Sequence, residues 1–151
     1  MKIRLMRNVD LPEVAALYQE ANSFAQLKTI FEWTKKGLRD FPGLNFVCEK
    51  EGKVIGAFSA VLEESNSALV NDIAVSEKHR EKGIGKKLMQ KLLSELKQRK
   101  VRRVRLWVHH NNLNTLPFYE SFGFLKTKSE KTKEILGVPD GEEITWLELE
   151  V

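Results

Sequence analysis

At 151 residues, with 42% hydrophobic and 30% charged side chains, the chain suits one ordinary globular domain rather than a disordered segment, and no apolar run reaches membrane-spanning length. A formal charge of +4 and an isoelectric point near 9.2 favour an anionic ligand but fall short of what a nucleic-acid partner requires. Met1-Lys2-Ile3-Arg4 enters strand-like alternation instead of a signal peptide, so a cytoplasmic protein is expected, with the lone Cys48 packed in the core.

Lys2 to Arg7 alternates as a first strand. Asp10-Leu11-Pro12-Glu13 has the form of a capping box with proline in the first turn, and Leu11, Val14, Leu17 and Ala21 then mark one face of a helix. Ser23-Phe24-Ala25-Gln26 repeats the capping pattern before a second stripe of Leu27, Ile30, Phe31, Thr34 and Leu38, which Gly37, Pro42 and Gly43 bring to an end. The break between the helices, Asn22 to Ala25, forms a rim where a substrate could enter, with Phe24, Phe31 and Trp33 as aromatics near it, Phe31 reading as core packing because it lies on the apolar stripe. Leu44 to Lys50 and Lys53 to Leu62 read as a hairpin turning at Glu51-Gly52, and Glu63 to Ser67 supplies the next turn.

The most informative stretch follows. Ala68 to Val75 is an apolar strand, Ser76 to Gly85 a glycine-containing loop, and Ile84, Leu88, Leu92 and Leu96, with Met89 and Leu93 beside them, the stripe of an amphipathic helix. Gly83 and Gly85 let the chain turn tightly where the first helical N–H groups lack partners and the macrodipole is positive, an arrangement that suits an oxyanion. A dinucleotide fingerprint would need a third glycine where Leu88 stands, and the glycine-lysine-hydroxyl order of a Walker loop is absent. The basic run Lys97 to Arg105 reads as a solvated helix end rather than a nucleic-acid patch, because no aromatic is interleaved before Trp107.

In the strand Arg103 to His109, Val104, Leu106 and Val108 point one way and Arg105, Trp107 and His109 the other. Strand, helix and strand make a crossover with parallel strands. On strand alternation His110 points away from His109, and with one cysteine in the chain no metal site is expected. Asn111 to Phe124 contains a short helix closed by Gly123 and capped by Asn114 or Thr115. Phe124 to Ser129 and Ile144 to Val151 are the last strands, and Glu130 to Glu143 is a loop between them.

Two motifs carry a family resemblance. Arg80-x-x-Gly83-x-Gly85 after a strand ending in valine resembles the acyl-CoA pyrophosphate loop of the GNAT superfamily of N-acetyltransferases. Asn112, followed seven residues later by Tyr119 inside Phe118-Tyr119-Glu120-Ser121-Phe122-Gly123-Phe124, resembles the family's second signature. The order and separation match, and the resemblance spans nearly the whole chain. It implies an α/β (α+β) fold: a mixed central sheet of about six to seven strands flanked by about four helices, with splayed parallel central strands. It also implies acetyl-CoA as acyl donor, with the pantetheine pairing to backbone groups of Ile73, Ala74 and Val75. The pyrophosphate would meet the loop of Arg80, Glu81, Lys82, Gly83, Ile84, Gly85 and Lys86, and Asn112, with Asn114 less securely, would hold the cofactor arm.

Tyr119 matches the family's general acid, since a phenol near pKa ~10 can protonate a departing thiolate. Where many N-terminal acetyltransferases of the family carry a glutamate base, this chain has Trp107. Asp72 and His109 are the two alternatives for the base. The acceptor implied is a primary amine of a small molecule, peptide or protein; no nucleic acid and no membrane is expected as partner, and a homodimer stays open. A non-catalytic acyl-CoA-binding regulatory module of the same fold is the alternative function.

Overall fold

Strands Lys2–Leu5 (β1), Asn45–Lys50 (β2), Lys53–Glu63 (β3), Ser67–Val75 (β4), Arg103–His109 (β5), Leu125–Lys131 (β6) and Glu143–Glu150 (β7) form one sheet in the computed structural model, which describes residues 1–135 and 137–151. The strand order is β1-β2-β3-β4-β5-β7-β6. Neighbours are antiparallel except β4 and β5, the parallel pair joined by the crossover helix Ile84–Gln98 (α3). Helices Leu11–Ala21 (α1) and Leu27–Asp40 (α2) cover one face of β2 to β4, and α3 covers the other, with the short helix Leu116–Glu120 (α4) beside it. The mixed sheet with four helices agrees with the expected fold.

Each face has its own core. Ile84, Leu88, Met89, Leu92 and Leu96 of α3 are all buried against Phe46, Phe58, Val104 and Leu106, at about 1.5–3 kcal/mol for each large apolar side chain. Gly56 of β3 permits that approach, because a Cβ there would stand 3.0 Å from Leu88 Cδ1 and 3.3 Å from Ile84 Cγ2. Cys48 lies fully buried in this cluster, so it packs as a core residue, and burial pushes its thiol pKa up. On the other face Leu11, Val14, Leu17 and Tyr18 of α1 meet Val47, Ala57 and Ala74. Among the described residues no helix is long and apolar enough to cross a membrane.

Three local expectations need correction. Asp10 does not cap α1 with its side chain: its buried carboxylate accepts two hydrogen bonds from the Arg4 guanidinium at 2.8 and 2.9 Å and one from the Arg7 N–H at 2.8 Å. A charged donor offers more to a carboxylate than a helix N–H does, and the Arg4 guanidinium holds Asp10 below the usual carboxylate range. Ser23 does not start α2; Ala25 N–H closes a turn on the Asn22 carbonyl, which delays the helix to Leu27. Strand β6 runs on to Lys131, and Thr132 ties down the segment beyond it, its hydroxyl donating to the Pro139 carbonyl at 2.7 Å and accepting from Glu142 N–H at 2.9 Å. Residue 136 of the expected Glu130 to Glu143 loop lies outside the described residues.

Candidate active site

The parallel strands pair over only three residues, Ser67 with Arg103, Ala68 with Val104 and Leu69 with Arg105. Beyond that they part, as expected, and the gap is a cleft of about 900 Å³ running from the start of α3, past α4, to the α1–α2 turn. Every second residue along the freed part of β4 turns its N–H and C=O away from β3 toward this gap. Ile73, Ala74 and Val75 therefore line it.

At one end stands the glycine loop. Gly83 has φ +79°, a left-handed conformation that glycine adopts without cost, and Lys87 makes the first intrahelical bond, to the Gly83 carbonyl at 3.1 Å. The N–H groups of Ile84, Gly85 and Lys86 are therefore free of the helix ladder and open onto the cleft. Gly85 lies against the Phe118 ring, where a Cβ would come within 3.3 Å, so a side chain there would press on α4. Arg80, Glu81 and Lys86 line the cleft, whereas Lys82 does not. Arg80 is partly engaged already: its Nε donates to the Val75 carbonyl at 3.0 Å and its Nη2 lies 3.7 Å from Glu20. A diphosphate on a thin thioester-bearing arm fits these donors and the exposed strand edge.

Midway, two ionisable groups face each other. Ser59 pairs with Asp72 and Ala60 with Val70, so Asn71 is an extra residue, a bulge in β4. The bulge reverses the alternation: Ala68 and Val70 point to the α3 core, whereas Ala74 points to the α1–α2 core. Asp72, two residues from Ala74, is thereby turned toward α1, where Asn22 Nδ2 donates to its Oδ1 at 3.1 Å. Burial pushes the Asp72 carboxyl up to about 8. Tyr119 lies across from it, half-buried between Phe118 and Phe124. Burial, and secondarily the Asp72 charge, raises its phenol above the ordinary value, so it stays protonated at physiological pH. Tyr18 is raised for the same two reasons and shares a 2.8 Å hydrogen bond with the Ser59 hydroxyl.

Asn112 reaches back to α1, its Nδ2 donating to the Ala21 carbonyl and to Asn22 Oδ1, both at 3.2 Å. Asn114 is exposed on the cleft. Neither Asn114 nor Thr115 caps α4 with its side chain; the Thr115 hydroxyl donates to the Asn112 carbonyl at 2.7 Å.

The far end of the cleft is aromatic and apolar. Phe24 stacks on His109 with ring centroids 4.1 Å apart and stands 6.1 Å from Trp107, and Ile30, Trp33 and Val138 complete the walls. Here the expected divergence of His109 and His110 fails. Strand β5 stops at His109 and the chain turns into a 3-10 helix at His110–Thr115, so alternation no longer applies and the two rings lie 4.1 Å apart. Both Nε2 atoms face Glu142, at 3.5 and 3.4 Å. The Asn111 N–H donates to His109 Nδ1 at 3.1 Å, which requires a lone pair there and puts the proton of the neutral ring on Nε2, toward Glu142. Burial, with His110 nearby, lowers the His109 pKa against the opposing pull of Glu142.

A family model described as the acetyltransferase (GNAT) family matches residues 6–124. The chain belongs to the GNAT acetyltransferase family. It is 30% identical over 125 residues to the ribosomal protein bS18-alanine N-acetyltransferase of Escherichia coli, an alignment covering 81% of this chain and 79% of that one. The fold is shared with ribosomal-protein-alanine N-acetyltransferase of Brucella melitensis (TM-score 0.77, 24% identity, all of both chains) and with Ard1 of Thermoplasma volcanium (TM-score 0.84, 23% identity, 99% and 97%). The protein is thus a GNAT enzyme that uses acetyl-CoA to acetylate an amine.

Sequence reading of this acetyltransferase placed Asn22 on the rim of the site but missed its bond to Asp72, as it missed Val138 on the cleft wall and Glu142 beside the two histidines. Asn22 carried only the signal of a polar residue at a helix end, and nothing local says that it meets Asp72, 50 residues on. The bulge at Asn71 left no trace in the strand's composition.

Proposed function

We propose that the acceptor is the α-amine of a polypeptide, with Asp72 as general base and Tyr119 as general acid. The observation that carries this reading is the pairing of two displaced groups across one cleft: a carboxyl raised to about 8 and a phenol held protonated. A polypeptide α-amine has a pKa of about 8 and a lysine side chain about 10.4, so the α-amine gives up its proton more readily to a carboxyl that burial has raised. The Escherichia coli relative is named as an alanine N-acetyltransferase of a ribosomal protein, which supports a polypeptide acceptor.

Acetyl-CoA supplies a thioester carbonyl and a thiol leaving group. In this reading the N–H groups of Ile84, Gly85 and Lys86 grip its diphosphate, Arg80, Glu81 and Lys82 contribute mainly loop backbone, and Asn112 and Asn114 border its arm. Main-chain groups of Ile73, Ala74 and Val75 hold the extended arm and receive the charge that builds on the carbonyl oxygen. Asp72 takes a proton from the ammonium, directly or through one water, so that the nitrogen lone pair forms the new N–C bond. As the C–S bond breaks, Tyr119 gives its proton to sulfur, the second proton leaving the nitrogen passes through water to the Tyr119 phenolate, and Asp72 returns the first proton to solvent. His109, whose Nδ1 accepts from Asn111 and whose Nε2 faces Glu142, acts as a wall of the acceptor chamber rather than as the base.

Phe24, Trp33, Trp107 and Val138 would surround the first side chain of the acceptor, which favours an uncharged residue there. The test is thiol release from acetyl-CoA with short peptides beginning Met, Leu, Ala, Asp or Lys, set against polyamines, free amino acids and aminoglycosides. Peptides with free, uncharged N-terminal residues should react and their N-blocked forms should not. Turnover confined to the small amines, or undiminished with N-blocked lysine peptides, would sink the α-amine reading.

A further inference from the structure

We propose that Asn22, the residue that ends α1, is the positioning residue for the Asp72 carboxylate: its amide occupies Oδ1 and leaves Oδ2 as the atom that takes the proton. This assignment rests on the reading of Asp72 as the base.

The orientation of the Asn22 amide follows from its surroundings. Its Nδ2 lies 3.1 Å from the Tyr18 carbonyl and 3.1 Å from Asp72 Oδ1, and its Oδ1 lies 3.2 Å from Asn112 Nδ2. Turning it over would set its oxygen against the Tyr18 carbonyl oxygen and its NH₂ against the Asn112 NH₂, whose own direction is fixed by the bond to the Ala21 carbonyl at 3.2 Å. Asn22 can therefore only donate to Asp72. A hydrogen bond donated to Oδ1 lowers the basicity of that oxygen, so the proton taken by the carboxylate goes preferentially to Oδ2. Among the described residues no other side chain is hydrogen-bonded to this carboxyl. Its other polar and titratable neighbours are the Tyr18 phenol from α1, the Ser59 hydroxyl from β3 and the Tyr119 phenol from α4, and both phenols are raised above their ordinary values. Desolvation pushes the carboxyl toward neutrality, and a single amide donor offsets part of it by favouring the charged form.

The experiment follows Asp72 in the full chain by carbon-13 NMR of labelled aspartate, with Asp72→Asn assigning the signal, alongside the pH profile of kcat/KM for a Met-initiated peptide. Asn22→Leu should move the midpoint up by about one pH unit and lower kcat/KM at pH 7 about tenfold, with KM for acetyl-CoA changed less than about threefold. Asn22→Asp keeps the size but sets a second carboxylate beside the first, so it should move the midpoint further and lose more activity. Asn22→Gln, with the amide on a longer arm, should fall between wild type and leucine. A residue that merely supported the helix end would give the opposite order, the isosteric aspartate being milder than leucine, with the midpoint unmoved. If leucine prevents folding, the aspartate and glutamine variants decide. A midpoint that stays put, or a loss confined to KM for acetyl-CoA, overturns the proposal. If Asp72→Asn itself leaves the pH profile intact, the base reading falls and this one with it; a profile flattened by Asp72→Asn but untouched by the Asn22 variants removes Asn22 alone.

Discussion

The two ends of the cleft are built by different means. At the α3 end the donors are main-chain N–H groups on consecutive residues, and the side chains between Gly83 and Lys86 matter mostly for letting the backbone adopt its path. At the aromatic end the walls are side chains: Phe24 comes from the α1–α2 turn, Trp107 and His109 from the end of β5, and Val138 from the segment between β6 and β7. A site made of consecutive amides tolerates most side-chain changes and fails when the backbone is altered. A site made of side chains from distant segments should show the reverse.

The sharpest way to break that contrast lies where the ends meet. Asp72→Asn should lower kcat at pH 7 by about 10² to 10³, with acetyl-CoA affinity by calorimetry near wild type. Tyr119→Phe should cost about 10²-fold in kcat, again with affinity kept, because the phenyl ring retains the packing against Phe118 and Phe124 while the transferable proton is lost. Affinity falling in step with turnover in both variants would mean that these residues belong to the binding end.

The pH dependence sharpens the comparison in the same place. Asp72 is raised to about 8, so the carboxylate fraction grows as pH rises from 6, and kcat/KM should climb to about half its limit near pH 8 and level above about 9. Stability should run the other way. A carboxyl whose folded pKa lies above its unfolded value favours the folded state while both forms are protonated, below about pH 4, and the advantage is lost as pH rises toward 8. Asp72→Asn should therefore match wild type in Tm near pH 4 and exceed it near pH 8; the same difference at both pH values would contradict the displaced carboxyl.

Smaller effects are expected at the ends themselves. Gly85→Leu should weaken acetyl-CoA binding about tenfold or more, because the new side chain presses on Phe118. Gly83→Ala should cost about 1 kcal/mol of stability from its left-handed φ. Lys82→Ala, by contrast, should leave acetyl-CoA affinity within about twofold, since its side chain does not line the cleft. Peptide KM should respond to Trp107→Ala several-fold while acetyl-CoA affinity does not, and a reversed pattern would dissolve the distinction between the ends.

How much was legible follows from the same difference. The stripe of Ile84, Leu88, Leu92 and Leu96, the hairpin at Glu51-Gly52, whose two residues have φ +51° and +78°, and the strand–loop–helix around Gly83 all depend on neighbours within a turn or two. Periodicity and glycine placement were enough to locate them. Asp72 was named from its place in a motif, but the bulge at Asn71 that turns it toward α1 leaves no mark on composition. The same blindness to where a strand ends made His110 look as though it pointed away from His109, when the chain had already left the strand. The bond from Asn22 to Asp72, the place of Val138 on the cleft wall and that of Glu142 beside the two histidines arise only when the sheet closes.

The chain's own order of residues determined the hairpin at Glu51-Gly52, the amphipathic helix α3 and the glycine corner with its unpaired amides, because these rest on short-range periodicity, backbone freedom and unpaired N–H groups. Which carboxyl is desolvated, which amide meets it and which aromatics line the far end of the cleft were decided only when segments up to about a hundred residues apart packed together. Burial and hydrogen-bond geometry are properties of that packing, and no local pattern contains them.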